Sequence, residues 1–410
     1  MQKKVAILGL GYVGLPLAEL LVSSNKYSVI GIDISRAAIA RAKKTIKSTN
    51  FISSTGFQKI KSADIVVICV PTPIKRNYLP DYEPLKMACK AVIENLGKNP
   101  LVIIESTINP GTCEEVLMPL FSQYGLVCGK DYSLAHCPER IDPGNTQWIL
   151  DNIPRNVAGD SESTSKEAAS FYRSFLKGKI KVMNSLKAAE ATKIVENTFR
   201  DINIAYVNEL AMSFDKLGID LLEVIEGASS KPFAFMPHYP GCGVGGHCIP
   251  VDPYYLIERA KYTGFHHPFL RMARAVNNGM PAYTVSLLKA ALKVKKLSKP
   301  VVGLLGLAYK KDIADIRESP ALKILQQLKV AKLKTLIYDP YIQEESNVKT
   351  LDELLKKCDA IIVATNHSEF IKISGELLEK HDVKVVIDGR NCLNKQDILS
   401  KEILYKGIGR

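Results

Sequence analysis

The chain has 410 residues, 46% of them hydrophobic and 24% charged, with a formal net charge of +13. That length suits two or three domains with buried cores, and the balance excludes a disordered chain. No apolar stretch is long enough to span a bilayer, and the lysines are dispersed beside a single Trp with no groove-reading motif, so neither a membrane nor nucleic acid is expected as a partner.

The first segment, KKVAILGLGYVGLPLAELL, reads as a buried parallel strand, a glycine turn and a helix, with SVIGIDI as the next strand. Its lysines and apolar run resemble a secretory signal, but glycines and Pro16 break the run and no clean cleavage site follows, which predicts a cytoplasmic protein. Cysteines scattered from Cys69 to Cys392 without a Cys-x-x-Cys pair fit reduced thiols and no structural zinc. Gly9, Gly11 and Gly14 make G-x-G-x-x-G between strand and helix, with Tyr12 and Val13 completing a turn that brings backbone to a pyrophosphate. Asp33, nineteen residues after Gly14, ends the second strand where a carboxylate accepts from ribose hydroxyls. An acid there favours NAD, while Arg36 keeps NADP open.

Further apolar runs at ADIVVICVPTP, LVIIESTINPGT and DYSLAHCPER, separated by helical patterns such as PLKMACKAVIENL, predict a doubly wound parallel sheet. Thr72 and Thr107 end strands, where hydroxyls meet cofactor or substrate; Glu139 and Arg140 follow a strand and a proline at the same edge. From about Ser185 the pattern becomes helical, and Lys193 and Asn197 share a helix face that Arg200 continues. Such a pair either stabilises a developing alkoxide or is an ordinary solvated surface. A Gly/Pro-rich loop follows, KPFAFMPHYPGCGVGGHCIPVDPYY, then a helix near RMARAVNNGMPAYTVSLLKAAL.

In that loop Cys248 is flanked by glycines and followed four residues later by Asp252. By residue type alone a cysteine belongs in a core. The polar, glycine-rich surroundings favour a nucleophile, since a thiol adds to an aldehyde and the thiohemiacetal can lose a hydride to become a thioester. Near Lys299 strands return with KPVVGLLGLAYK, TLIYDPY, CDAIIVATN and VKVVIDGRN, a diverged repeat of the first half. Gly303 and Gly306 are followed by Ala308 and Tyr309, so the phosphate fingerprint is incomplete and this half is expected to bind something other than a dinucleotide. The fold class is therefore α/β, two Rossmann-like doubly wound parallel sheets joined by a central helical domain, with boundaries at 1–184, 185–297 and 298–410.

GLGYVGLP, VPTP, ESTINPGT, PERIDPGN, the Lys193/Asn197 pair, GVGGHCIPVDP and LAYKKDIADIRESP together resemble, over essentially the whole chain, the nucleotide-sugar 6-dehydrogenase family of UDP-glucose and UDP-N-acetylhexosamine dehydrogenases. The resemblance implies a four-electron oxidation at C6 that reduces two NAD and releases a uronate for surface polysaccharide. It makes Cys248 the nucleophile, Lys193 and Asn197 oxyanion stabilisers, and Asp252 and Glu139 the groups that handle protons and water. It also implies cofactor contacts from Thr72, Thr107 and Arg317, and substrate contacts from Arg140, Ile141, Arg200, Gly245 and Lys310. The C-terminal domain then holds UDP, and a homodimer or larger homo-oligomer forms through the central helices. The glucose branch has Ser, Lys, Arg-Ile-Gly and a second acid where this chain has His247, Val251, KPFAF and Pro143. These departures point to an N-acetylated sugar, UDP-N-acetylglucosamine first, with UDP-N-acetylmannosamine and UDP-glucose as alternatives. Two rival classes are a single-step β-hydroxyacid dehydrogenase, which needs no thiol, and a non-enzymatic protein that binds NAD or nucleic acid.

Overall fold

A computed structural model describes residues 2–75, 78–142 and 144–410; Pro143 lies outside the described residues. Along the chain run β1 (Lys3–Leu8), α1 (Gly14–Ser23), β2 (Tyr27–Ile32), α2 (Arg36–Thr45), β3 (Phe51–Ser54), β4 (Ile65–Ile68) and α3 (Glu83–Glu94). Next come β5 (Leu101–Ile104), α4 (Met118–Ser122), β6 (Ser133–His136), β7 (Arg155–Gly159), α5 (Glu162–Arg173) and β8 (Ile180–Val182). A helical stretch follows: α6 (Leu186–Leu217), α7 (Leu221–Ser229), α8 (Asp252–Lys261) and α9 (Pro268–Val294). The rest is β9 (Val301–Leu305), α10 (Pro320–Val330), β10 (Lys334–Tyr338), α11 (Leu351–Leu355), β11 (Ala360–Val363), α12 (Gly375–Lys380), β12 (Val385–Asp388), α13 (Lys395–Leu399) and β13 (Leu404–Gly407). Two compact units form: unit 1 ends its first stretch at Glu196 and adds Tyr254–Phe265, and unit 2 comprises Asn197–Pro253 and His266–Arg410.

Unit 1 holds an eight-stranded sheet in the order β3-β2-β1-β4-β5-β6-β7-β8, its described pairs parallel except for β6 against β7. Alternate residues of β1 serve opposite faces. Val5 and Ile7 pack with Leu17 of α1 and Phe171 of α5, and Ala6 and Leu8 with Leu85 and Val92 of α3. Helices cover both faces, which is why β1, β4 and β5 read as unbroken apolar runs. β3, β7 and β8 are short and carry no such run, so the apolar pattern does not reveal them. α2 starts at Ser35, whose hydroxyl accepts from the Ala38 amide at 3.3 Å, and ends on Lys43 and Lys44, which face the negative end of its dipole.

Unit 2 holds a five-stranded, all-parallel sheet in the order β10-β9-β11-β12-β13. Equivalent contacts establish the internal repeat. The Gly9 amide donates to Ile32 O at 2.8 Å and the Gly306 amide to Tyr338 O at 2.9 Å, with φ of 92° and 90° at the two glycines. Ahead of β4, Asp64 accepts from the Lys4 amide at 2.7 Å; ahead of β11, Asp359 accepts from the Val301 amide at 2.7 Å. The two Rossmann-like sheets and the helical stretch between them are thus as the sequence pattern implies.

Candidate active site

Between β1 and α1 the glycines have distinct steric duties. A Cβ on Gly14 would lie 1.9 Å from Gly9 O, and one on Gly9 would lie 2.7 Å from Cys69 O, so both are demanded by the close pass of turn and strand. A Cβ on Gly11 meets nothing within 4 Å. That space lies at the start of α1, where Val13 supplies no side-chain cap and the first amides point outward. Asp33 accepts from the Leu10 and Ser35 amides, each at 2.8 Å, and stays partly exposed. Tyr12 and Arg36 are exposed. A bare glycine, an open helix N-terminus and an acid at the end of β2 fit a dinucleotide pyrophosphate and its ribose.

The strand ends of unit 1 are tied into one network. Thr72 Oγ1 donates to Thr107 O at 2.6 Å, and Tyr255 Oη of α8 donates to Thr72 O. From α6, Glu190 accepts from the Gly111 amide and, at 2.8 Å, from the Cys113 amide, anchoring the loop that carries Thr107. One turn on, Lys193 Nζ donates to Glu139 O and stands 3.9 Å from Glu139 Oε2; both side chains are buried. Glu139 Oε1 accepts from the Ile141 amide, and Arg140 forks onto Glu196 at 3.0 and 2.7 Å. Glu105 and Arg155 form a fully buried ion pair at 2.9 Å, with Tyr172 Oη donating to the same carboxylate at 2.5 Å. Burial pushes the Glu105 carboxyl up, against the pull of Arg155 and Tyr172. Burial, with the Lys193 charge, drives His136 at the end of β6 down to about 3, so its ring is neutral. A 440 Å³ cavity is lined by Lys75, Tyr82, Asn109, Thr112 and Arg259 among others, but by neither Thr72 nor Thr107.

In unit 2 the segment before α8 makes a tight turn: the Val251 and Asp252 amides donate to Cys248 O at 3.0 and 2.8 Å. Asp252, buried, opens α8 and accepts from Asn197 Nδ2 at 2.6 Å. The Gly246 amide donates to Arg317 O at 2.9 Å, and a Cβ on Gly245 would lie 2.6 Å from Tyr309 Cβ, a packing reason for that glycine. Burial raises the thiols of all eight other cysteines, to about 12 at Cys89 and Cys137 and about 11 at Cys242. Arg317 is exposed and forks onto Asp315 at 3.0 and 2.5 Å, while Arg200 is exposed on α6.

Asp339 is the repeat counterpart of Asp33, but it is fully buried, accepting from the Leu307 and Ala308 amides at 2.6 and 2.9 Å and from His367 Nε2 at 3.1 Å. The Asp312 amide donates to His367 Nδ1 at 2.9 Å, which assigns the ring proton to Nε2. With its acid turned inward and locked, this half lacks the ribose acceptor of a dinucleotide site. The lock pins the loop that carries Lys310. Sequence reasoning missed Glu190, Tyr255 and His367; the spacing of Glu190 three residues before Lys193 was the legible signal.

Three descriptions of one family match in chain order: its NAD binding domain over residues 3–176, its central domain over 187–279 and its UDP binding domain over 303–395. The chain belongs to the UDP-glucose/GDP-mannose dehydrogenase family. It is similar to a UDP-N-acetyl-D-mannosamine dehydrogenase of Pyrococcus horikoshii, with 37% identity covering 99% of each chain. It also resembles a UDP-N-acetyl-D-glucosamine 6-dehydrogenase of Pseudomonas aeruginosa, at 34% identity over 94% of this chain and 97% of that one. A solved structure of a UDP-ManNAc dehydrogenase from Pyrococcus horikoshii superposes with a TM-score of 0.92 at 37% identity, covering 99% of both. Membership makes the chain an oxidoreductase with NAD as its cofactor, in keeping with the glycine turn and Asp33.

Proposed function

We propose that the enzyme oxidises the C6 alcohol of a UDP-N-acetylhexosamine to the carboxylate in two steps, with Cys248 as covalent nucleophile. The observation that carries this is the turn joining Cys248 to Asp252, with Asn197 on the Asp252 carboxylate at 2.6 Å. NAD, when bound, accepts the hydride of each oxidation. The Cys248 thiol adds to the aldehyde carbon, giving a thiohemiacetal. Loss of its hydride gives a thioester, and water then releases the uronate and the free thiol, so two NAD are reduced per product. Asp252 and Glu139 take up the hydroxyl proton and orient water, and Lys193 and Asn197 stabilise the alkoxide. Thr72, Thr107 and Arg317 serve the cofactor; Arg140, Ile141, Arg200, Gly245 and Lys310 serve the UDP-sugar.

The residues around Cys248 favour UDP-N-acetylglucosamine, whereas the 37% identity over nearly the whole length is to a protein named for the mannosamine epimer. We therefore place UDP-N-acetylmannosamine beside it as an equal candidate. An NADH assay with UDP-N-acetylmannosamine, UDP-N-acetylglucosamine, UDP-glucose and GDP-mannose separates them, with two NADH per uronate expected on one N-acetylated sugar. One NADH per product, or unchanged acid formation by Cys248→Ala, overturns the thiol mechanism. The reading puts the enzyme in the cytoplasm as a homodimer or larger assembly, for which exposed Phe199, Tyr206, Phe233 and Met236 of unit 2 supply apolar surface.

A further inference from the structure

We propose that the amino-terminal edge of the five-stranded sheet in unit 2 is a docking face for an anionic lipid surface. Between Lys289 and Lys334 the chain has twelve Lys or Arg against three Asp or Glu, a net +9 of the total +13. The three acids, Asp312, Asp315 and Glu318, share the loop after β9 with Lys310, Lys311 and Arg317. Every other charge in the stretch is a lysine. Dispersed along the sequence, these lysines are gathered by the fold.

α9 and α10 pack together and feed β9 and β10, parallel neighbours in which Lys334 lies opposite Val301. Both helices end in the same way. The Leu297 amide donates to Leu292 O and the Leu333 amide to Leu328 O, each at 3.1 Å. Lys296 and Lys332, with φ of 53° and 56°, occupy the left-handed position that glycine or asparagine ordinarily takes. Lys289, Lys293, Lys296, Lys299, Lys329, Lys332 and Lys334 are all exposed, and none has an acidic partner within 4 Å among the described residues. Lys295 is engaged with Glu402 O at 2.6 Å. The acids of this edge lie towards β11 to β13: Asp359 is bound by the Val301 amide, Asp382 pairs with Lys384, and Glu402 is exposed.

Two exposed valines, Val294 and Val330, stand among the lysines at 69% and 73% exposure. The composition decides the occupant. Nucleic acid calls for guanidinium forks and aromatic stacking, yet neither 289–300 nor 322–334 contains an arginine or an aromatic residue. Ammonium groups on flexible aliphatic stems, with bare aliphatic neighbours, suit a layer of anionic headgroups. Such adsorption needs no membrane-spanning segment, so the absence of a candidate spanning helix among the described residues leaves it open.

The test is co-sedimentation of the full-length protein with phosphatidylcholine vesicles, with and without phosphatidylserine, at low and raised salt. The comparison protein carries Lys293→Gln, Lys296→Asn, Lys329→Gln and Lys332→Asn, asparagine being chosen because it tolerates the left-handed backbone. Binding is expected only to vesicles with phosphatidylserine, to weaken with salt, and to fall about a hundredfold in the variant. The variant's NADH formation and unfolding midpoint should match the parent, which separates this proposal from the catalytic one. No binding to phosphatidylserine vesicles, equal binding by the variant, or tighter binding to a single-stranded oligonucleotide than to vesicles overturns it.

Discussion

Cys248 is half-buried in a glycine turn; Cys69, Cys128 and Cys392 are half-buried as well, and burial raises the thiols of those three. As the proposed nucleophile, Cys248 should be modified first by a limiting dose of iodoacetamide at neutral pH, with activity lost in proportion; peptide mass spectra showing another cysteine labelled earlier would contradict this. Asp339 gives a second prediction at the same scale. Burial alone would raise its carboxyl, but the His367 N–H and the Ala308, Leu307 and Tyr341 amides outweigh that and hold it at about 2, below the ordinary 3.8. The unfolded chain releases the proton near 3.8 and the folded chain near 2. The resulting stability is complete above the higher value and lost as pH falls towards the lower. Asp339→Asn should cost about 2 kcal/mol at pH 7 and almost nothing at pH 2, measured by denaturant unfolding. The position of Asp339 was legible from the repeat. Its inward turn was not, because it depends on His367, 28 residues away in sequence, reaching the same carboxylate.

At the scale of elements, the glycine turn separates two jobs that one motif merges. Gly14→Ala drives a methyl into Gly9 O, so it should destabilise unit 1 by about 1–3 kcal/mol whether or not cofactor is present. Gly11→Ala meets no neighbour, so it should leave the melting temperature of the free protein unchanged while weakening NAD binding at least tenfold by calorimetry. Equal melting shifts in the two variants would refute the division of labour. Strands under helices on both faces, such as β1, β4 and β5, were readable because double burial makes them unbroken apolar runs. β7 and β8 were not readable, since strands of five and three residues are held by their neighbours rather than by their own composition. Along α6 the pattern announced Lys193 and Asn197 as a pair. Where each side chain lands, on Glu139 O and on Asp252, follows from loops whose course no periodicity encodes.

For the whole molecule, His136 adds its own contribution to the response to acid. Burial and the Lys193 charge drive its pKa from the ordinary 6.5 to about 3. The unfolded chain takes up a proton near pH 6.5 and the folded chain only near pH 3, so stability is whole above the upper value and drains away between the two. Over that interval unfolding should become easier by about 4 kcal/mol, and His136→Phe should flatten the slope; an unchanged slope in guanidinium titrations refutes it. Tyr254–Phe265 complete unit 1 only after Asn197–Pro253 of unit 2 have been made. A ribosome therefore cannot release a finished NAD-binding half before it has translated through residue 265, and no single uninterrupted stretch of coding sequence encodes either half alone.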